Sequence, residues 1–332
     1  MSVNVEKIGS NPNVYLLKVP YANAVMMTCT NCYLIEDGGE SLLVDTGWCS
    51  DEGHEFLVGA LNDLGIDRDR LGIFLTHHHN DHVGLIDSIA RPGTAVYTGK
   101  RALDVTSGPA KARSRALLLE KFILEGVPRE EAWRILLTRD ANIWTMPEGR
   151  YDIKRLGDGD VVEVGRFRLR VIGLPGHSEG QIGLYIPNHQ WLACGDQVLY
   201  SITPSLDFYK GCFAENISSL EKMRRLPLKG LLQAHDQLRD DYFQRIDILI
   251  AHHMKRAAEG LEAIKRNPGI CGRDLTFQLN WSALRHASWD DLSPIPRCAI
   301  RGGSLLVLDY LVDQGKVVRE VGADGLVGYR EA

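Results

Sequence analysis

The chain has 332 residues, 44% of them hydrophobic, a formal net charge of −5 and a pI near 6.1. That length supports a large core and more than one compact unit, and the acidic balance gives no general attraction to polyanions. No apolar run approaches the ~18 residues of a membrane span, and the N-terminus "MSVNVEKIGSNPNVYLLKVP" lacks the basic-then-apolar pattern of a signal peptide. Seven cysteines without framework spacing point to a reduced, cytoplasmic protein.

In chain order, "VYLLKVP", "NCYLIED" and "SLLVDTG" read as strands, the last two joined by a Gly-Gly hairpin turn. Cys29 and Cys32 form a C-x-x-C pair with no second pair to complete a zinc knuckle, so Cys32 reads as the start of a core strand. Residues 51–65 follow as a helix, with Asp51 as cap and Gly65 at its end. "LGIFLT" is a buried strand, "VGLIDSIAR" a helix and "AVYTG" a short strand. Residues 100–150 hold two amphipathic helices broken at Gly126–Pro128, with ten Lys/Arg against seven Asp/Glu. Strands return in "VVEVGRFRLRVIGLPG" and "IGLYIPNHQWLACGD", with a turn at Asn188.

From residue 241 the pattern is helical. One long helix stops at "NPG"; short helices follow, then a helix "SLLVLDYLVDQG" ended by Gly315, then a hairpin in "KVVREVGADGLVGY". This pattern is winged-helix-like. Residues 267–332 carry seven Lys/Arg and eight Asp/Glu, whereas a nucleic-acid reader should be basic, so a structural or dimerising role is favoured. The expected division is 1–240, with the helical insert at 100–150, and 241–332.

Between a strand end and a helix lies "LTHHHNDHVG", residues 75–84. His77 and His79 alternate, so on an extended segment their rings share one side and His78 faces away. Asp81 and His82 can turn toward a second point. The spacing H-x-H-x-D-H suits two metal ions close together. Further ligand types follow apolar runs elsewhere: His177 in "GLPGHSEG", Asp196 in "WLACGDQV" and His235 in "LLQAHDQL". Each is expected at a strand end, where α/β proteins gather their loops.

With Asp45 in "VDTG", these motifs resemble, in order, those of the metallo-β-lactamase fold superfamily of metallo-hydrolases, over about residues 10–240. "SITPSLDFY", the insert and the terminal module are similar to a subgroup near the hydroxyacylglutathione hydrolases and small endoribonuclease-like members. The resemblance implies an α/β fold: an αββα sandwich, here with a helical insert and a small C-terminal helical, winged-helix-like domain. Carried over by position, it implies one metal held by His77, His79 and His177 and a second held by Asp81, His82 and His235. Asp196 would bridge them, and Asp45 would orient ligands from behind. Nitrogen-rich ligation favours two Zn2+ ions, with iron or manganese compatible with the two carboxylates. Two positions depart from the subgroup: Gln197 stands where a His usually follows the bridging Asp, and His235 sits in "QAHDQ" rather than Pro-Gly-His-Gly. Neither removes a ligand, but both weaken any transfer of substrate by analogy.

Two ions about 3.5–4 Å apart can activate a water and polarise a carbonyl or phosphoryl oxygen, with Asp81 orienting the nucleophile. The resemblance argues against a true β-lactamase, in which the carboxylate at Asp196 is replaced. It argues against the oxygen-reducing di-iron branch, because the second motif position is His79 rather than Glu and no flavodoxin-like module follows. It also argues against large RNA-processing nucleases, because no β-CASP-like domain is present. The expected function is hydrolysis of a small ester-type substrate, a thioester or lactone. The alternative is phosphodiester cleavage of short single-stranded RNA, and a metal-dependent regulatory protein comes last, both disfavoured by the acidic C-terminal module. Tyr200, Tyr209 and Gln197 are candidate substrate contacts. "ALLLEKFIL" and "AWRILL", with Trp133, are more apolar than one buried stripe needs. The insert therefore either covers the site as the wall of an acyl pocket, or packs on the domain or on a second subunit of a homodimer.

Overall fold

A computed structural model of the chain describes residues 4–21, 27–147 and 149–332. A seven-stranded sheet contains, in spatial and chain order, β1 (Val5–Gly9), β2 (Asn13–Pro20), β3 (Cys29–Asp37), β4 (Glu40–Val44), β5 (Leu71–Phe74), β6 (Ala95–Gly99) and β7 (Asp152–Leu156). Its first four strands are antiparallel and the rest join in parallel. The β3–β4 hairpin closes on Gly38 and Gly39, both at positive φ (61° and 83°), the conformation a two-residue hairpin turn requires. A second sheet contains β8 (Val161–Val164), β9 (Phe167–Gly173), β10 (Ile182–Ile186), β11 (Trp191–Gly195) and β12 (Gly230–Gln233), in the spatial order β12-β11-β10-β9-β8. The inner faces meet through Leu16, Tyr33, Ile35 and Phe74 on one side and Leu169, Val171, Leu184 and Leu232 on the other.

Helices cover both outer faces, giving the αββα layers. Over the first sheet lie α1 (Asp51–Asp63), α2 (Asn80–Val83) and α3 (Ile86–Ile89), which bury Leu57, Leu61, Val83, Ile86 and Ile89. The cap of α1 is Ser50, whose hydroxyl accepts from Gly53 N, rather than Asp51. The single helix expected at 83–91 is two short pieces because Thr46 takes its backbone groups: Thr46 N donates to His82 O, and Thr46 Oγ1 accepts from Leu85 N.

The insert forms α4 (Ala102–Thr106), α5 (Gly108–Leu124) and α6 (Arg129–Asn142). Helices α7 (Cys212–Arg225) and α8 (Tyr242–Arg266) cover the second sheet through Leu220, Met223, Ile246 and Leu249. The chain ends with α9 (Gly272–Leu275), α10 (Pro294–Asp313) and the hairpin of β13 (Val317–Val321) and β14 (Val327–Glu331). Strands β1 and β7 are edge strands without a fully buried residue, with no apolar alternation to betray them. No helix among the described residues is long and apolar enough to cross a membrane.

The apolar faces of the insert meet the C-terminal segment. Leu118, Phe122, Ala132, Ile135 and Leu136 share one core with Leu305, Leu308 and Leu311 of α10 and with Val317, Val327 and Tyr329 of the hairpin. Arg301 crosses this core, giving both Nε (3.0 Å) and Nη2 (2.6 Å) to Glu131 Oε1 while Nη1 reaches Thr276 Oγ1 at 2.7 Å. The insert, expected to have little core of its own, thus obtains one from residues far along the chain. Trp133 stays 43% exposed.

The end of β6 lies close against the loop that carries His177. A Cβ at Gly99 would run into the carbonyl oxygen of Gly180, and Gly180 itself (φ 77°) presses on the backbone of Arg101 and Ala102. We expect Gly99→Ala to cost about 3 kcal/mol, the upper end for overpacking. Urea unfolding checks this as a lower midpoint at unchanged slope, with Gly108→Ala, where a Cβ meets open space, as the unaffected control.

Candidate metal centre

The site is assembled at strand ends. Asp45 follows β4, His77 to His82 follow β5, His177 follows β9, Asp196 follows β11 and His235 follows β12. The structure brings the seven expected metal ligands together in two groups: His77, His79 and His177; and Asp81, His82, Asp196 and His235. In the first, His77 Nε2 and His177 Nε2 each lie 3.0 Å from His79 Nδ1, and His177 Nε2 is 3.6 Å from Asp196 Oδ2. In the second, Asp196 Oδ1 is 3.4 Å from His82 Nε2 and 3.3 Å from His235 Nε2, and Asp81 Oδ2 is 3.4 Å from His235 Nε2. Asp196 therefore faces both groups with a different oxygen toward each. These spacings are close to the ~3.3 Å edge of a tetrahedron with bonds of about 2.0–2.1 Å.

The outward ring nitrogens settle which way the imidazoles are protonated. His82 Nδ1 donates to Asp45 Oδ2 (2.8 Å), His177 Nδ1 to the Ser205 carbonyl (2.7 Å) and His235 Nδ1 to the Cys29 carbonyl (2.9 Å). Thr76 Oγ1 gives its own proton to Asp45 (2.8 Å), so at 3.1 Å it accepts from His77 Nδ1. All four Nε2 atoms are left as acceptors pointing inward. Among the described residues His82 Nε2, His235 Nε2 and Asp196 Oδ1 are buried with no hydrogen-bond partner. A set of buried acceptors facing one another fits metal cations.

Without ions the electrostatics divide the two groups. Burial and the neighbouring imidazoles push His77 and His79 well below the ordinary histidine range. Burial opposes charge on His82 as well, yet Asp196, Asp81 and Asp45 together hold it well above that range. Asp81 and Asp196 resist protonation despite burial because of the surrounding histidines. Asp45 lies behind the ligands: one oxygen accepts from Thr76 N (2.8 Å), the other from Thr76 Oγ1 and His82.

Other candidates fall elsewhere. His78 turns away, its Nδ1 3.2 Å from Ser178 Oγ, and burial pushes its pKa down to about 4. Gln197 is tied to Asn216 Oδ1 (2.8 Å) and Gln181. Tyr209 donates to Glu215 and Tyr200 lies under Arg239. All three therefore spend their polar groups, or their ring, on contacts outside the cluster. Sequence reasoning missed Tyr21, whose hydroxyl is 2.6 Å from Thr30 Oγ1 and 3.3 Å from Asp81 Oδ2; a lone tyrosine beside no motif carries no signal. It also missed Arg139 and Asp207, which line a cavity of about 450 Å3 opening at His79 and His177.

The sequence model of the metallo-beta-lactamase superfamily matches residues 29–252. The chain belongs to that superfamily. A beta-lactamase-like protein 2 homolog of Caenorhabditis elegans is 24% identical over 278 residues, covering 82% of this chain and 74% of the relative. An atrochrysone carboxyl ACP thioesterase of Aspergillus novofumigatus is 22% identical, covering 98% and 80%. A hydroxyacylglutathione hydrolase of Bdellovibrio bacteriovorus is 26% identical, over only 49% of this chain and 48% of the relative. A metallo-beta-lactamase family protein from Thermus thermophilus superposes with a TM-score of 0.73 at 25% identity, covering 96% and 98% of the two chains.

The chain is a metallo-hydrolase of this superfamily, and these two clusters are the groups that could hold its metal ions. We expect two ions per chain in metal-replete protein by elemental analysis. Asp196→Ala should lose at least one, because the carboxylate serves both groups. His78→Ala should keep both, unlike His77→Ala or His79→Ala; equal loss in all three variants would contradict the alternating geometry.

Proposed function

We propose that this metallo-hydrolase cleaves a thioester bearing an apolar acyl group, using two zinc ions. The observation that carries the proposal is the cavity beside His79 and His177. Ile143, Leu206, Phe208, Ile295 and Ala299 wall it, and its volume of about 450 Å3 lies within the range of small-molecule sites. An acyl chain lying there brings its carbonyl to the metal end. The whole-length similarity to a thioesterase supports the reading, as does the similarity to hydroxyacylglutathione hydrolases.

When bound, paired ions acidify a water to a near-neutral pKa and supply positive charge where the carbonyl oxygen becomes negative. The chain's own groups do the rest. Asp81 has a side chain 18% exposed and is available to accept a hydrogen bond from that water and turn its lone pair to the acyl carbon. The water oxygen bonds to that carbon as one water proton passes to solvent, the C–S bond breaks, and the sulfur departs with the electron pair, leaving the acid and a thiolate. With a thiol pKa near 8.5 it leaves as thiolate without a proton donor. That distinction favours a thioester over a lactone, whose alkoxide needs a proton at once, because the inward nitrogens of the cluster carry none to give.

The C-terminal turn of α6 supplies Thr138, Arg139 and Asn142 to the same cavity. In this reading the insert serves both as a wall of the acyl pocket and as part of the helical core. The test is a series of acyl thioesters of increasing chain length, with lactones and short RNA in parallel. We expect kcat/KM to climb with chain length, by up to about fourfold per buried methylene at ~0.8 kcal/mol each, and Phe208→Ala to flatten that climb while both ions remain bound. RNA cleavage faster than any thioester, with a steep loss of affinity in salt, would overturn the proposal.

A further inference from the structure

We infer that Arg139 is a positioning residue for the His77–His79–His177 group, acting through Asp207, a role that presupposes His177 as a metal ligand. Arg139 sits near the end of α6 with its side chain 9% exposed, and its Nε donates to Asp207 Oδ1 at 3.1 Å. Asp207 in turn staples two loops. Its Oδ1 accepts from Phe208 N (2.7 Å), its Oδ2 from Glu179 N (3.4 Å), and its own N–H donates to Gly176 O (3.2 Å). Those bonds bracket His177 on one loop and anchor the other loop two residues after Ser205. The Ser205 carbonyl is the acceptor that fixes the His177 ring at 2.7 Å.

Among the described residues Arg139 is the only cationic side chain within ion-pair distance of the buried Asp207, whereas Asp140 is also paired to Arg115 (2.7 Å). A carboxylate buried without its cation either takes up a proton or moves. Either change loosens the Ser205 carbonyl that aims His177. The end of α6 also grips the other loop of the same group: Trp144 N donates to His78 O (2.8 Å), and Asn80 Nδ2 to Ala141 O (2.7 Å).

The second group is held from the opposite side. Asp45 orients His82, the Cys29 carbonyl orients His235, and Thr30 binds the backbone of Asp81 at 2.7 Å. All three supports come from the first sheet and its loops. Perturbing Arg139 should therefore weaken one ion and spare the other, an asymmetry that a purely structural arginine would not produce.

The experiment titrates metal-free, folded protein with Zn2+, and with Co2+ for its visible absorption. We expect Arg139→Gln and Asp207→Asn each to weaken one ion by about 10–100-fold, the usual cost of losing a supporting partner. The cobalt band lost should be the one that His177→Ala removes, with the other ion at wild-type affinity. Arg139→Lys, which keeps the charge but not the planar fork, should recover part of the loss, and Arg115→Gln should show none. If Arg139→Gln does not fold, Asp207→Asn leaves no buried anion behind and decides by the same criterion. Wild-type affinity for both ions in the folded variants, or equal weakening of both, overturns the role of Arg139. Uptake of fewer than two ions by the wild type overturns the metal assignment itself, and this role with it.

Discussion

Four imidazoles at the centre of the molecule have spent their only proton on the outside. His77, His82, His177 and His235 each donate outward to a hydroxyl, carboxylate or carbonyl oxygen, so their inward nitrogens can only accept. Two carboxylates that can only accept face the same space. Such a set costs several kcal/mol per unmet group unless cations occupy it. Without ions, protons stand in. Burial opposes charge on His82 and His235, but the carboxylates around them hold both above the ordinary histidine value. Burial keeps His77 and His79 neutral. An ion entering the second group would displace protons held there.

The backbone is shaped to deliver those groups. Asp45 adopts a positive φ of 59° at the end of β4, a conformation rare outside glycine, and it lets one carboxylate serve Thr76 and His82 together. Gly195, before Asp196, has φ 54°, and a Cβ there would meet Thr76 Oγ1 at 2.8 Å. The same threonine that fixes the protonation of His77 thus requires a glycine next to the bridging aspartate. Parallel pairing of β11 with β12 and of β4 with β5 places their C-terminal ends side by side, so the loops carrying the ligands have a common meeting point.

The seven candidate ligands stand out in the sequence because five motifs in order are improbable by chance, and because each follows a short continuous apolar run, the mark of a buried strand. The layers were legible for the same reason. What could not be read was anything decided by partners distant in sequence. The apolar excess of α5 and α6 signals burial but does not say against what; the answer, α10 and the terminal hairpin, begins about 150 residues later. Arg139 looks in sequence like one more charge on a solvated helix face, and only its burial against Asp207 marks it out. Gln197, Tyr200 and Tyr209 have polar groups that could meet a substrate and follow Asp196 along the chain, but nearness along the chain does not fix where a side chain turns.

The division of labour across the chain follows from this geometry. The ligands and the groups that orient them lie within residues 29–252, the stretch matched by the superfamily, while the cavity draws Ile295, Cys298 and Ala299 from α10, outside it. The metal site needs fixed distances among acceptors and tolerates little change. A cavity wall needs only shape and apolarity, and substitutions that conserve volume cost less than about 1.5 kcal/mol. The wall formed by α6 and α10 is also stabilised on its far side by its own core, with the Arg301–Glu131 pair between the two helices. Ile295 and Ala299, which face the cavity from outside that core, can therefore change with little effect on the packing of the helices, whereas Cys298 and Phe208 belong to both. Arg139, Asp207 and Ser205 are bound by both demands, because each lines the cavity and also belongs to the chain of contacts that supports His177.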